Sequence, residues 1–355
     1  MITIVLTNRN RSLSLITNCF ASLRRQNNQN FKCTVVDYGS NPQNQKLLQS
    51  EINKHVNFEL ILCSTQKQLW CKSRAINLAL KQCDTTHFFA GDIDMIYHPH
   101  FIEELHILKD KHKVVYFQVG FLSENESNTD KDFEDYQIAF PSNEEATGMT
   151  LYKTEILKSI NGYDEFYHGW GAEDTDVHVR LKNANVEVAY FDRDILMLHQ
   201  WHPKVYRGKD SLEPFHFKLE SINHKYLEFT RQTKKVVANT NFEWGHYSAS
   251  DYSVLEAPQQ EFLVTNELAD VKGFIHSVLL DHADQVISVK IREHSEYNSL
   301  KQTAKKLLNK KAKEFLSLEE VNDLLLETII ADKRNAAYSY RYSVQKNEIA
   351  LVIKL

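Results

Sequence analysis

Five cysteines stand among the 355 residues, and no two of them form a C-x-x-C pair. Cys19, Cys33, Cys63, Cys71 and Cys83 all fall in the first quarter of the chain, most of them in or beside apolar runs. That pattern speaks for reduced, partly buried thiols in a cytosolic protein and against a zinc site or a disulfide scaffold. No apolar run approaches the ~18 residues of a membrane-spanning helix. The opening MITIVLTNRN is too short, and after Leu6 too polar, for a secretory signal. Any membrane contact is therefore expected to be peripheral. Positive charge is not in excess either: the net charge of -5 argues against a general nucleic-acid binder. Internal repeats and low-complexity tracts are missing, and no glycine-rich phosphate loop follows the first apolar run.

What is present is an ordinary globular composition, 42% apolar and 25% charged, in a chain long enough for a large domain and a smaller one. The first half alternates strand and helix signals. Short β-branched or aromatic runs at Ile2–Leu6, Phe31–Val36, Phe58–Leu62, His87–Ala90 and Lys113–Phe117 read as strands. Between them, helical spacing at Leu13, Ile16, Phe20 and Leu23, over Asn41–Lys54, over Leu69–Leu80 and over Phe101–Leu108 reads as helices. Further strands are expected at Gly148–Tyr152 and Val186–Phe191, a short helix runs to Ile160, and Ser123–Asp135 reads as a mobile polar loop. The alternation implies an α/β fold, a mostly parallel sheet flanked by helices. Beyond about residue 236 it stops. Residues 1–235 are taken as the catalytic domain and 236–355 as a smaller α+β accessory region. There, Ser317-x-x-Glu320 is a capping-box pattern, and Tyr338–Tyr342 with Ile349–Ile353 suggests a hairpin.

Ligands of parallel sheets bind at the carboxyl ends of the strands. Those ends carry Thr7-Asn8-Arg9, Asp37-Tyr38-Gly39-Ser40 and Asp92-Ile93-Asp94. Two acids at i and i+2 on a turn suit a hard divalent cation held partly by a substrate diphosphate. Asp37 suits hydrogen bonds from a ribose or base, or else an Asx-type turn before Gly39. Arg74, near a helix start in KSRAINLAL, offers a guanidinium to a diphosphate, or else a surface ion pair. His199, with His202 as its alternative, is a candidate imidazole ligand for Mn²⁺. The most informative stretch is GYDEFYHGWGAEDTDVHVRL, Gly162–Leu181. Its glycines and aromatics lead into Glu173, Asp174 and Asp176 at a helix start, where acids gain from the helix dipole. A carboxylate so placed serves as a general base when a hydroxyl reaches it; the alternative is an ordinary acidic N-cap.

In this order the motifs resemble a glycosyltransferase of the GT-A fold. ITIVLTNRN, VVDYGS, KSRAINLAL and GDIDM are similar to family 2. ATGMTLYKTEILKSINGYDEFYHGWGAEDTDVHVRLK resembles the β-1,4-galactosyltransferases and the GalNAc-transferring modules of bacterial chondroitin-type polymerases. The resemblance spans about residues 1–203. It implies that Thr7, Asn8 and Asp37, with neighbouring Arg9, hold a uridine, that Arg74 lies along the ribose and diphosphate, and that Asp92 meets the ribose or the metal shell. It further implies that Asp94 and His199 bind Mn²⁺ or Mg²⁺, that Trp170, Gly171 and Glu173 face an acceptor sugar, and that Asp174 is the base. Two positions depart from the families: Tyr38 stands where a second acid is usual, and Ala172 where a second glycine is usual.

The function implied is inverting transfer of a hexose or N-acetylhexosamine from a UDP-sugar, Gal or GalNAc favoured. The acceptor would be a saccharide or lipid-linked saccharide, as in bacterial surface polysaccharide synthesis. The site would be cytoplasmic, with peripheral contact at the inner face of the membrane. A retaining transferase of the same fold and a non-catalytic nucleotide- or sugar-binding protein are the alternatives. In the accessory region, Leu300, Ala304, Leu307, Leu308 and Phe315 form an apolar stripe on a helix with six lysines between Lys301 and Lys313. The stripe is expected to pack on a neighbour; the other reading is a basic surface for anionic lipid.

Overall fold

The structure, a computed structural model, describes residues 1–203, 214–281 and 284–355. The described residues form two compact units. The first holds residues 1–64, 70–203 and 219–247; the second holds 65–69, 214–218 and 248–355.

In the first unit the chain runs β1 (Ile2–Asn8), α1 (Leu13–Arg24), β2 (Phe31–Tyr38), α2 (Pro42–Ile52), β3 (Phe58–Cys63), α3 (Lys72–Gln82), β4 (His87–Asp92), β5 (Met95–Tyr97) and α4 (Phe101–Leu108). It continues through β6 (Val114–Phe117), β7 (Gly120–Leu122), α5 (Glu124–Ser127), β8 (Ile138–Pro141), β9 (Thr150–Lys153) and α6 (Thr154–Ser159). Then come α7 (Glu173–Asn183), β10 (Ala189–Phe191), β11 (Met197–His199) and α8 (Leu219–Gln232). Seven strands make the main sheet in the order β10-β6-β9-β4-β1-β2-β3. Only β9 runs antiparallel to its neighbours. Side chains alternate across each strand, so β1 feeds both faces. Ile2, Ile4 and Leu6 pack with Ile16 and Phe20 of α1, Leu48 of α2 and Phe101 of α4. Val5 packs with Ala75 and Ile76 of α3, Leu157 of α6 and Val177 of α7. This is a mixed, mostly parallel sheet flanked by helices, the α/β arrangement read from the sequence.

A second sheet, β5-β11-β7-β8, was not anticipated from the sequence. Its strands have three or four residues, too few for alternation to register. The polar stretch Ser123–Asp135, expected to be a loop, carries the short helix α5, capped by Ser123, whose side chain accepts from the Glu126 amide. The first unit also runs past residue 235, where the composition changes. Asn239 is buried, its side-chain oxygen accepts from the Glu165 amide at 2.9 Å, and Tyr247 accepts from the Ser64 amide at 2.8 Å.

The second unit contains α9 (Ala249–Ser253), β12 (Gln260–Thr265), α10 (Leu268–Phe274), β13 (Val286–Arg292), α11 (Leu300–Leu307), α12 (Leu318–Asp332), β14 (Tyr338–Ser343) and β15 (Glu348–Lys354). Its sheet has the order β12-β13-β15-β14, with β14 and β15 antiparallel as the sequence suggested. The capping box of α12 forms between Ser317 and Glu320. The stripe of α11 does not pack as expected. Leu300, Leu307 and Leu308 are 88%, 81% and 65% exposed.

Helix α7 is set by a buried ion pair. Arg180 and Asp176, four residues apart, have fully buried side chains 2.6 Å from each other. Arg180 also donates to the carbonyls of Ile160 and Gly162 at 3.0 and 2.7 Å, and the Tyr167 hydroxyl donates to Asp176 at 3.1 Å. Removing one partner strands the other as an unpaired buried charge. Asp176→Ala is therefore expected to cost roughly 3–5 kcal/mol. Calorimetry should show the unfolding midpoint falling on the order of 10 °C; a midpoint within a degree of wild type would contradict the account.

Candidate active site

Strand register brings the polar ends together. Asn8 lies opposite Asp37, and Thr7 opposite Asp92. Thr7 and Asn8 are buried at the sheet edge, and Arg9 is half-buried beyond it. Asp37 is wholly buried, and both its oxygens are taken. They accept from Asn8 Nδ2 at 2.6 Å, the Ser40 amide at 3.0 Å, the Ser40 hydroxyl at 2.5 Å and Gln45 Nε2 at 3.1 Å. Asp37 closes the turn to Ser40 and orients Asn8.

Beyond β4 the chain turns through Ile93 and Asp94 into β5, which pairs antiparallel with β11, Met95 opposite His199. The Gln200 amide donates to the Asp94 carbonyl at 2.9 Å. This pairing brings two histidines, not one, to Asp94. His199 Nε2 lies 3.8 Å from Asp94 Oδ1, and His202 Nε2 lies 3.2 Å from Oδ2. Ligand atoms of the three residues lie within 4.8 Å of one another. Asp94 is 3% exposed, and its Oδ1 is a buried atom with no hydrogen bond among the described residues. Arg11, not singled out in the sequence, donates to Oδ2 at 3.0 Å. Burial opposes ionisation of Asp94, but His199, His202 and Arg11 outweigh it and hold the carboxyl well below its usual range.

The second cluster forms around Lys72, the first residue of α3 and also absent from the expectations. Its ammonium lies 3.1 Å from Asp92 Oδ1, 3.2 Å from Asp174 Oδ2 and 4.0 Å from Glu173 Oε1. Burial would lower the Lys72 pKa, but the three acids raise it well above normal. Asp174 goes the other way. Burial, then repulsion from Glu173 and Asp92, pushes it up to about 7 against the pull of Lys72. Its Oδ1 is buried and makes no hydrogen bond among the described residues.

Arg74, two residues beyond Lys72, is 4% exposed, with Nε donating to Glu165 at 2.8 Å. Asn77 Nδ2 donates to the same carboxylate at 2.9 Å.

The loop before α7 holds Gly169, Gly171 and Ala172 at positive φ, +75°, +100° and +73°. Asn223 of α8 clamps it, donating to the carbonyls of His168 and Trp170 at 3.0 and 3.1 Å. Gly171 is buried, Trp170 is 48% exposed, and the side chain of Glu173 is 13% exposed. A site with an exposed indole, one proton-accepting oxygen and an adjacent Asp–His–His cluster has the parts for hydroxyl activation beside a cation.

Residues 3–162 match glycosyl transferase family 2, and residues 128–202 match the N-terminal domain of galactosyltransferase. No curated protein matches the chain. Similar solved structures include S. aureus TarS 1-349, at 17% identity and TM-score 0.43, covering 56% of this chain and 60% of that one. GalNAc-T7 with UDP, GalNAc and Mn²⁺ is 13% identical, with TM-score 0.44 and coverage of 57% and 44%. The mannosyltransferase PcManGT from Pyrobaculum calidifontis, in complex with GDP-Man and Mn²⁺, is 15% identical, with TM-score 0.42 and coverage of 66% and 71%. The chain spans less than two thirds of the length of the first two.

Ala172 provides a test of the loop. A non-glycine residue in the left-handed region costs about 1 kcal/mol. Ala172→Gly is expected to raise stability by up to about 1 kcal/mol in denaturant titration. A loss of stability would show that the methyl group makes contacts worth more than the strain.

Proposed function

We propose a reaction for what the two sequence matches make a family 2-like glycosyltransferase of the GT-A fold. It moves a hexose or N-acetylhexosamine, Gal or GalNAc favoured, from a UDP-sugar to a saccharide hydroxyl with inversion at the anomeric carbon. Its setting is bacterial surface polysaccharide synthesis in the cytoplasm, with peripheral contact at the inner face of the membrane. The observation that carries the reading is Asp174. One oxygen is held by Lys72, the other is buried and free to accept, and the pKa is brought to about 7. A general base works best with its pKa near the operating pH.

Each neighbour has a part. Lys72 fixes the carboxylate and offsets the charge of Asp92. Trp170 offers a broad amphipathic face to the acceptor ring, and Gly171 and Glu173 border it. Thr7, Asn8 and Arg9, with Asp37 behind Asn8, form the edge on which the nucleoside rests, and Asp92 meets the ribose. Asp94, His199 and His202 would hold Mn²⁺ or Mg²⁺. The set of one carboxylate and two imidazoles suits Mn²⁺ better, and the unpartnered Oδ1 of Asp94 fits a ligand role. Such an ion, once bound, supplies Lewis-acid neutralisation of charge on the departing diphosphate.

Asp174→Asn is expected to lower transfer by ~10²–10⁴ while calorimetric UDP affinity stays near wild type. The base must be ionised, so wild-type kcat should rise with pH and level off above about 7. That limb should vanish in the variant; near-normal turnover would remove Asp174 from the chemistry. NMR of the product anomer separates inversion from retention.

Asp94→Ala is expected to abolish the Mn²⁺ dependence of UDP binding. Wild-type affinity that is the same with and without EDTA would take the metal out of the reading.

A further inference from the structure

Helix α11 is amphipathic and mounted inside out. Its buried residue is polar: Gln302, 4% exposed, donates to Glu296 and accepts from the Lys313 amide at 3.0 Å. At 3.6 residues per turn, the opposite side of the helix carries Leu300, Ala304 and Leu307, with Leu308 just past its end. All four are exposed. The helix start is fixed by Ser299, whose side chain accepts from the Gln302 amide. Only Phe315 of the apolar stripe turns inward, against the rings of His294 and Tyr297.

Lysines flank the exposed leucines. Lys301 is paired with Glu296 at 2.5 Å. Lys306, Lys310 and Lys311 are exposed, Lys305 is half-buried, and none of these four has an ion-pair partner among the described residues. The chain as a whole carries a net charge of -5, so the patch is positive against the trend of the protein.

We infer that this face docks on an anionic lipid surface, with the leucines entering the headgroup boundary and the lysines reaching phosphates. Long lysine stems bury their methylenes while the ammonium stays at the polar level, and basic amphipathic helices bind membranes in this way. A second copy of the chain is a poor occupant. A two-fold contact places each patch on itself, so lysines would meet lysines. The inference gives a surface to the peripheral contact proposed above, and rests on that reading only for its purpose. Vesicle binding and sugar transfer fail independently of each other.

The test is co-sedimentation of the full chain with phosphatidylcholine vesicles, with and without about a third of phosphatidylglycerol as the anionic lipid. Binding is expected only with the anionic lipid and should weaken with salt. Lys305→Glu with Lys306→Glu should weaken it on the order of 25-fold, about fivefold for each lysine. Leu307→Ser with Leu308→Ser should weaken it roughly tenfold or more. Lys306, Leu307 and Leu308 are exposed and Lys305 is half-buried with no ion-pair partner among the described residues, so both variants should keep the wild-type melting temperature and UDP affinity. Three outcomes would overturn the inference. One is equal binding by wild type and the leucine variant. Another is a melting temperature lowered by several degrees in that variant, which means the leucines are packed. The last is leucine-dependent self-association without vesicles, which assigns the face to a second copy.

Discussion

One ammonium group serves three carboxylates at the centre of this molecule, and the candidate chemistry follows from that imbalance. Lys72 reaches from the start of α3 to Asp92 at the end of β4 and to Glu173 and Asp174 at the start of α7. Without it the three acids would repel one another in a poorly solvated corner. With it, the three negative charges are offset only in part, and one carboxyl gives way under burial and the repulsion of the other two. Asp174 becomes the acid whose proton is held near neutrality. Asp176, two residues on, faces the other side of the helix and is fully satisfied by Arg180 and Tyr167. Two aspartates of one helical turn thus differ in role because one shares its cation and the other does not.

The parallel sheet was legible because its strands are compact apolar runs, two of which, β1 and β4, end in the polar Asn8 and Asp92. The register then carries Thr7, Asn8, Asp37 and Asp92 to one edge with no further information. The acidic start of α7 was legible for the same reason, since glycines and acids announce a helix terminus. The Asp–His–His cluster was only half legible. Both histidines follow Val186–Phe191, the last strand read from the sequence in that region, but their meeting at Asp94 depends on β5 pairing with β11, and three-residue strands leave no periodic trace. Arg74 and Lys72 show where periodicity runs out. Every residue of α3 from Ser73 to Leu80 is buried, so position on the helix does not say which cation meets which acid. The partners, Glu165 for Arg74 and Asp92 with Asp174 for Lys72, come from segments far along the chain.

The same limit applies to α11. Periodicity establishes two faces but not which one turns to the protein. The default assumption sends leucines inward, because burial of apolar surface dominates folding. Here a single amide reverses it. Gln302 closes hydrogen bonds to Glu296 and to the Lys313 backbone, and these would be left unsatisfied if the helix rolled over.

Amides set the geometry elsewhere too. Gln200 is wholly buried, accepts from Asn18 at 2.9 Å and donates to the Leu15 carbonyl at 3.1 Å. That fixes the backbone between His199 and His202 against α1. Asn77 donates to the Tyr163 carbonyl and to Glu165, and accepts from the Tyr163 amide, holding the entry to the glycine loop. Asn223 clamps the loop's exit. A side-chain amide both donates and accepts, so it can bridge two backbone segments that apolar packing would leave free to slide. Each bond has modest net worth, but breaking it strands a buried polar group at about 1–3 kcal/mol. The reacting groups at the centre are few and charged, and their placement is delegated to neutral amides whose own state does not change with pH or with bound charge.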